Sequence, residues 1–346
     1  MKIPDSLPWR PTGVTLGSGG QADVHLVTRR GEADSTTAAL KALRNVHSRQ
    51  AKERFRREIE AVKQLDHPSI VTILDQSEVD DPFQFYVMEY YKGAQTLASI
   101  IFTETNPFYG MALKALALFE QLVLAIRACE QSLPRIIHRD INPNNILILP
   151  DGSLRLIDFG ICQVQDGHIL TLIDENVGTR NYTAPECEAG NDAAIGTHSD
   201  LYSAAKVLWA AVTSQRAFSR EEPAFNQRSM PEMFPLNSET WHLTFIFEGT
   251  IRSNPGDRFR KTEEALVRIR DVRYVIEHGY PPLEEVGRRC PSCGWMDLAQ
   301  FPSGHEVFGN PNPQGVISMI CENCGFGFVR NNDYIRREIQ RLRSLK

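Results

Sequence analysis

Long apolar runs are missing from this 346-residue chain, and so are internal repeats, low-complexity tracts and any surplus of positive charge. No stretch reaches the roughly 18 uncharged apolar residues that a spanning helix requires, so no membrane segment is expected. Met1 to Pro11 holds Pro4, Pro8 and Pro11 and no apolar run, the wrong pattern for a signal peptide or an anchor. Lys and Arg number 38 against 43 Asp and Glu, and a net charge of -5 makes no overall case for nucleic acid or an anionic membrane. Cysteine is scarce: of seven, four stand in two tight pairs, which suits metal binding in a reducing compartment better than disulfides. A cytoplasmic location is therefore expected. What the chain does have is 42% hydrophobic and 23% charged residues, enough for a real core in one large domain plus a small one, or in two medium ones.

The first part reads as β-rich. Val14 to Leu16, Val24 to Thr28 and Ala38 to Leu43 are short apolar segments separated by a glycine cluster and a polar loop. Phe55, Ile59, Val62 and Leu65 then recur at helical spacing within Ser48 to Leu65, and His67-Pro68 is the expected stop. Two more strands are expected at Val71 to Leu74 and Phe83 to Met88. After Gly93 the pattern turns helical: Met111 to Gln131 and Ser199 to Val212 read as buried helices, Thr262 to His278 as an amphipathic one. Pro281-Pro282 is the clearest linker signal.

Two runs in the middle of the chain carry chemistry. His138-Arg139-Asp140-Ile141-Asn142-Pro143-Asn144-Asn145 reads as H-R-D-x-x-x-x-N, and Asp158-Phe159-Gly160 follows as D-F-G. Together they supply a catalytic carboxylate, an amide metal ligand and a carboxylate metal ligand, the parts a phosphoryl-transfer site needs. Upstream, Gly17, Gly19 and Gly20 lie in Leu16 to Val24 between two expected strands, where glycine lets backbone N–H groups approach phosphates. Alone this is a weak signal, since glycine turns often join strands for steric reasons. Lys41 near the end of the next strand and Glu58 on the striped helix change its meaning. A lysine that holds phosphates and is fixed by a helix carboxylate belongs to the same kind of site.

From about Trp9 to Gly279 the chain resembles the eukaryotic-type (Hanks-type) protein kinases of the Ser/Thr kind. The resemblance rests also on Val87-Met88-Glu89-Tyr90, on Gly178-Thr179-Arg180-Asn181-Tyr182-Thr183-Ala184-Pro185-Glu186, on Asp200, and on Arg258 in Asn254 to Arg258. It implies an α+β, bilobal fold: a β-rich N-lobe at about 9–91 and a helical C-lobe at about 92–280. It implies ATP and Mg²⁺ (or Mn²⁺) as cofactors and a protein as substrate, with autophosphorylation as an option. By resemblance Asp140 orients the substrate hydroxyl, and Asn145 and Asp158 hold Mg²⁺. Lys41, fixed by Glu58, holds phosphates. Val24, Ala39 and Leu147 sandwich adenine, Met88 is the gatekeeper, and Glu89 and Tyr91 offer backbone groups. Asp200 braces the catalytic loop and Arg258 pairs with Glu186. Regulatory candidates are Thr171, the only hydroxyl-bearing residue between Gly160 and Gly178, and Thr179 and Arg180.

The pattern is broken at two places. Ala22 replaces the third glycine of the phosphate loop, which is mild if its backbone dihedrals are ordinary. Asn142 stands where Ser/Thr kinases carry a lysine that contacts the γ-phosphate, and Asn144 stands where tyrosine kinases carry arginine. Cationic stabilisation of a transferring phosphoryl is worth a few kcal/mol, so its loss could slow turnover on the order of 10²-fold. Arg180 is one candidate replacement. The alternative is a nucleotide-binding pseudokinase scaffold, against which stands the presence of Lys41, Glu58, Asp140, Asn145 and Asp158.

Cys290-Pro291-Ser292-Cys293-Gly294 and Cys321-Glu322-Asn323-Cys324-Gly325 offer four thiolates on two turns. The segment at 286–330 resembles a zinc ribbon with structural Zn²⁺, a rubredoxin-like iron site and disulfides being the other readings. Residues 331–346 read as a basic C-terminal helix. It is expected either to dock or to recruit a partner protein or nucleic acid together with the ribbon. The whole suggests a bacterial-type signalling or defence kinase.

Overall fold

The computed structural model describes residues 3–31, 36–159, 180–188, 194–219 and 227–278, together with short strand backbones between 298 and 330. Five strands open the chain: β1 (Trp9–Ser18), β2 (Ala22–Arg29), β3 (Thr37–Leu43), β4 (Ile73–Gln76) and β5 (Phe85–Glu89). They form one antiparallel sheet in the order β1-β2-β3-β5-β4. The period-two alternation of β3 divides its side chains between two cores. Ala38, Leu40 and Ala42 join Val27, Phe85 and Val87 on the outer face, where Ile3 and Trp9 also pack. Ala39 and Leu43 belong to the main core, and Lys41 shares their face.

Helix α1 (Arg49–Lys63) follows β3, starting where Ser48 Oγ accepts the Ala51 N–H at 3.2 Å. It buries Phe55, Ile59 and Val62, the stripe seen in the sequence. It ends before the expected stop at His67-Pro68, because the Gln64 N–H tightens back onto Ala61 O. The strand expected at Val71 to Leu74 begins later, at Ile73. The Val71 N–H is taken by Leu156 O at 3.1 Å instead of by a sheet neighbour.

The rest is mainly helical. A small sheet of β6 (Gln95–Thr96), β7 (Ile146–Ile148) and β8 (Leu154–Leu156) floors the cleft, in the order β6-β7-β8. Around it come α2 (Leu97–Ile101), α3 (Ala112–Gln131), the short α4 (Pro185–Glu188) and α5 (Thr197–Thr213). The brief helices α6 (Met230–Met233), α7 (Ser238–Trp241) and α8 (Thr244–Glu248) precede α9 (Thr262–His278). Helix α5 is buried on nearly every face, as its lack of a polar stripe demands. Leu116, Phe119, Val123, Leu208, Trp209, Ile269 and Val272 from α3, α5 and α9 meet in the largest core. No described helix is long and apolar enough to cross a membrane. Toward the C-terminus the backbone of β12 (Ile317–Cys321) pairs antiparallel with β9 (Leu298–Phe301) and β13 (Gly327–Arg330). A separate pair joins β10 (Glu306–Val307) and β11 (Asn310–Pro311).

Candidate active site

Lys41 stands at the centre of the cleft. Strand pairing puts it opposite Val24 on β2 and Tyr86 on β5. Its Nζ donates to Glu58 Oε1 and to Asp158 Oδ1, each at 2.7 Å, with the Lys41 and Glu58 side chains only 13% exposed. Burial disfavours the ammonium, but the Asp158 and Glu58 carboxylates outweigh it and hold the Lys41 pKa above its usual range. A helix, a strand and the D-F-G turn are thus joined through one cation.

The catalytic run forms a tightly braced loop. Arg139 and Asp158 adopt left-handed backbone conformations (φ 65° and 55°), which cost a non-glycine residue about 1–3 kcal/mol each. At the first of these, the buried Asp200 carboxylate accepts the His138 and Arg139 N–H groups at 2.8 and 2.9 Å. His138 lies within 3.1 Å of Ile157 O through Nε2, and its Nδ1 faces the Asp140 N–H at 3.3 Å. A carbonyl can only accept, so Nε2 carries the proton and the ring is neutral. Burial agrees, pushing the His138 pKa down to about 4. Phe159 packs against this ring with centroids 4.4 Å apart.

Asp140 is held by two amides. Asn142 Nδ2 donates to Oδ1 at 2.9 Å and Asn145 Nδ2 to Oδ2 at 2.8 Å. Burial pushes the Asp140 pKa up to about 6, against the pull of those donors toward the charged form. Asn142, 2% exposed, also accepts the Asn144 N–H at 3.0 Å and so caps the 3₁₀ turn Pro143–Asn145. The residue that breaks the sequence pattern is therefore an internal strut of the loop, aimed at the Asp140 carboxylate.

Around these groups the glycine loop and the connector after β5 complete the cleft. A Cβ built at Gly17 would meet no protein atom within 4 Å, and one at Gly19 only Ala22 O at 3.9 Å. Protein packing thus gives no reason for glycine there. Ala22 has ordinary backbone dihedrals at the start of β2, and Gly19 N–H donates to its carbonyl at 3.0 Å, so its methyl group adds no strain. Ser18 and Arg44 both bond the Asp23 carboxylate, tying the loop to the end of β3. Ala39 pairs directly with Met88, Val24 packs against the same core, and Leu147 sits half-buried on β7. Glu89 donates its N–H to Thr72 O at 3.0 Å, and the Tyr91 hydroxyl donates to the Glu89 side chain at 2.9 Å.

Farther from the cleft, Arg258 forks onto the Glu186 carboxylate at 2.7 and 3.1 Å, the pairing expected of those two residues. Arg180, considered as a replacement cation, has its Nε 3.3 Å from Glu188 Oε1. Gly160, Thr171 and Thr179 lie outside the described residues, as do Cys290, Cys293 and Cys324 and the basic segment 331–346. Cys321 is described only as the last backbone residue of β12. Among the described residues no group of three or more His, Cys, Asp or Glu is placed to hold a metal. Two participants escaped the sequence reading. Tyr86 donates to Glu58 Oε1 at 2.9 Å. Lys206, 1% exposed, donates to Asn181 O and Phe218 O at 2.8 and 2.6 Å. A lysine in the middle of a helix read as buried was the available signal for the second. For Tyr86, within an apolar strand, there was none.

Comparison with known proteins agrees with this geometry. The family model described as protein kinase domain matches residues 11–258. The serine/threonine-protein kinase PrkC of Bacillus subtilis is 36% identical over 208 residues, covering 60% of this chain and 30% of that protein. The serine/threonine-protein kinase PknB of Mycobacterium tuberculosis is 30% identical over 283 residues, covering 78% of this chain and 43% of that protein. The chain thus spans less than half the length of either curated relative. A crystal structure of the Mycobacterium tuberculosis PknI kinase domain shares the fold, with a TM-score of 0.58 at 22% identity, covering 78% of this chain and all of that one.

Proposed function

Because the chain belongs to the protein kinase family, we propose that it is a serine/threonine protein kinase that transfers the γ-phosphoryl of ATP to a protein hydroxyl. One observation carries this reading: Lys41 bridges Glu58 and Asp158 at 2.7 Å beside a catalytic carboxylate that two amides hold in place. Glycines that packing does not require line the loop where a phosphate chain would meet the backbone. Asn145 turns its Nδ2 to Asp140, which leaves its carbonyl oxygen, with the Asp158 carboxylate, as hard oxygen donors suited to Mg²⁺ or Mn²⁺. When bound, the metal would neutralise charge developing on the phosphoryl group.

The chain's own residues do the rest. Lys41 would hold the phosphates, and Glu58 would keep it oriented when Asp158 turns to the cation. Asp140, ionised above about pH 6, would accept a hydrogen bond from the Ser or Thr hydroxyl and take its proton as the bond to the γ-phosphorus forms and the bond from that phosphorus to the departing ADP oxygen breaks. Val24, Ala39, Leu147 and the backbone of Glu89 and Tyr91 would receive adenine. Thr171 is proposed as the activation-segment phosphosite. Transfer of radiolabel from ATP to serine or threonine of a generic substrate protein, and to the chain itself, tests the reading. We expect label with the wild type and none with Asp140→Ala, whose nucleotide affinity should hold. Equal label from both would refute it, whereas nucleotide binding without any transfer would favour the scaffold reading.

The proposal extends to a C-terminal zinc ribbon. The second cysteine pair begins on the last residue of β12 and falls on the connection to β13, a placement that supports a metal knuckle between antiparallel strands. Four thiolates without a carboxylate suit structural Zn²⁺, kept reduced in the cytoplasm. One zinc per chain by atomic emission is expected, falling in Cys321→Ser, while an unchanged metal content in that variant would exclude the assignment.

A further inference from the structure

Tyr86 makes a set of contacts that phosphoryl transfer does not by itself require. It lies on β5, paired with Lys41 across the sheet, and is 2% exposed. Its hydroxyl donates at 2.9 Å to Glu58 Oε1, the oxygen that also accepts Lys41 Nζ. Its ring centroid is 5.6 Å from that Nζ and 5.4 Å from the ring of Phe55. Phe55 and Glu58 are three residues apart on α1, so they share one face of the helix. A single side chain therefore grips that face twice and touches the lysine as well. Burial and the adjacent Glu58 carboxylate push the phenol pKa well above its usual range, which keeps it a proton donor.

Lys41 is contested, because Glu58 and Asp158 accept from it at equal distance. A buried carboxylate with one donor is poorly solvated, and a second donor steadies its charge and its direction. We propose that Tyr86 is a positioning residue for the phosphate-holding lysine: its hydroxyl fixes Glu58, and its ring fixes α1, so that Lys41 is aligned before nucleotide arrives. This rests on the reading of Lys41 as the phosphate contact. It also implies that α1 is docked by a contact internal to the N-terminal lobe.

Tyr86→Phe removes the hydroxyl and keeps the ring against Phe55. In the full chain, with myelin basic protein as substrate, the variant is expected to raise the KM for Mg-ATP about 10- to 150-fold, the range for a lost buried hydrogen bond to a charged group. The KM for the protein substrate should stay at its wild-type value. Amide exchange across 49–63, measured without nucleotide, should speed up while that of α5 does not change. In a Glu58→Ala background the added Tyr86→Phe substitution should raise the KM no further, since the hydroxyl acts through Glu58. The proposal is overturned if Tyr86→Phe leaves both the ATP KM and α1 exchange unchanged. It is also overturned if the full effect persists without Glu58, or if both KM values and exchange throughout the chain rise together. Should the wild type transfer no phosphate, the kinase reading fails on its own, and α1 exchange still decides for or against Tyr86.

Discussion

Replacing Asn142 by alanine removes one hydrogen bond to the catalytic carboxylate, and the consequence can be worked through. The bond is 2.9 Å long, lies in a site where Asn142 is 2% exposed, and has an ionised acceptor above about pH 6. A hydrogen bond to a charged group contributes about 1.5–3 kcal/mol. If that stabilisation is needed to keep Asp140 ionised and aimed during transfer, kcat/KM falls about 10- to 150-fold at 1.36 kcal/mol per decade. The same loss acts on titration. Burial already raises the Asp140 pKa to about 6, so the competent carboxylate form disappears as pH falls through that value. Without the Asn142 donor the anion is less favoured, and the acid limb of kcat/KM moves up by about one to two units. Asn142→Asp, which sets a second carboxylate against Asp140, should be worse than alanine. Asn142→Lys restores a donor and adds a cation near the transferring group, so it should retain wild-type turnover or exceed it. Rates of labelled phosphate transfer between pH 5 and 9 for the four proteins provide the assay. An alanine variant with the wild-type rate and the wild-type acid limb would refute the reasoning, since Asn142 would then be only a turn cap.

Two predictions concern the scaffold. Arg258→Met leaves the Glu186 carboxylate, 5% exposed, without its fork of hydrogen bonds, and should cost about 3–5 kcal/mol in urea unfolding at neutral pH. Burial opposes ionisation of Glu186, but Arg258 and Ser199 together outweigh it and lower its pKa below 4.5. The pair's contribution is therefore present above that pH and lost as pH falls through the lowered value, so wild type and variant should converge in acid. Lys206→Met leaves the buried carbonyls of Asn181 and Phe218 without an ammonium donor, a loss of about 1–3 kcal/mol for each. A lower melting temperature and faster proteolysis near Asn181 are expected, and a melting temperature equal to wild type would rule this out.

The parts of the site that could be read from the sequence are those whose chemistry demands a residue type at fixed spacing. Asp140 and Asn145 are five apart because one 3₁₀ turn brings the amide back to the carboxylate at 2.8 Å. Glu186, Arg258 and Asp200 were legible only through the resemblance to the kinase family, whereas the helical stripe of α1 is visible because burial follows its period. Asn142 shows where that legibility stops. Its identity marked an exception, but a sequence cannot say whether a short amide faces the phosphates or the carboxylate two residues back. That choice follows from the extended backbone at Asn142 and the turn begun by Pro143, which commit Oδ1 to the Asn144 N–H and so point Nδ2 at Asp140. Tyr86 was hidden for a different reason. In Phe85 to Met88 a tyrosine reads as one more core aromatic, and its hydroxyl finds Glu58 only when α1 folds across the sheet. The shifted start of β4 has the same cause: Val71 is apolar and fit for a strand, yet its N–H is claimed by Leu156 from the opposite lobe. Contacts that cross between elements decide these details, and local pattern does not encode them. On the proposed reading the missing lysine is no missing function, because position 142 holds the Asp140 carboxylate and Lys41 would hold the phosphates.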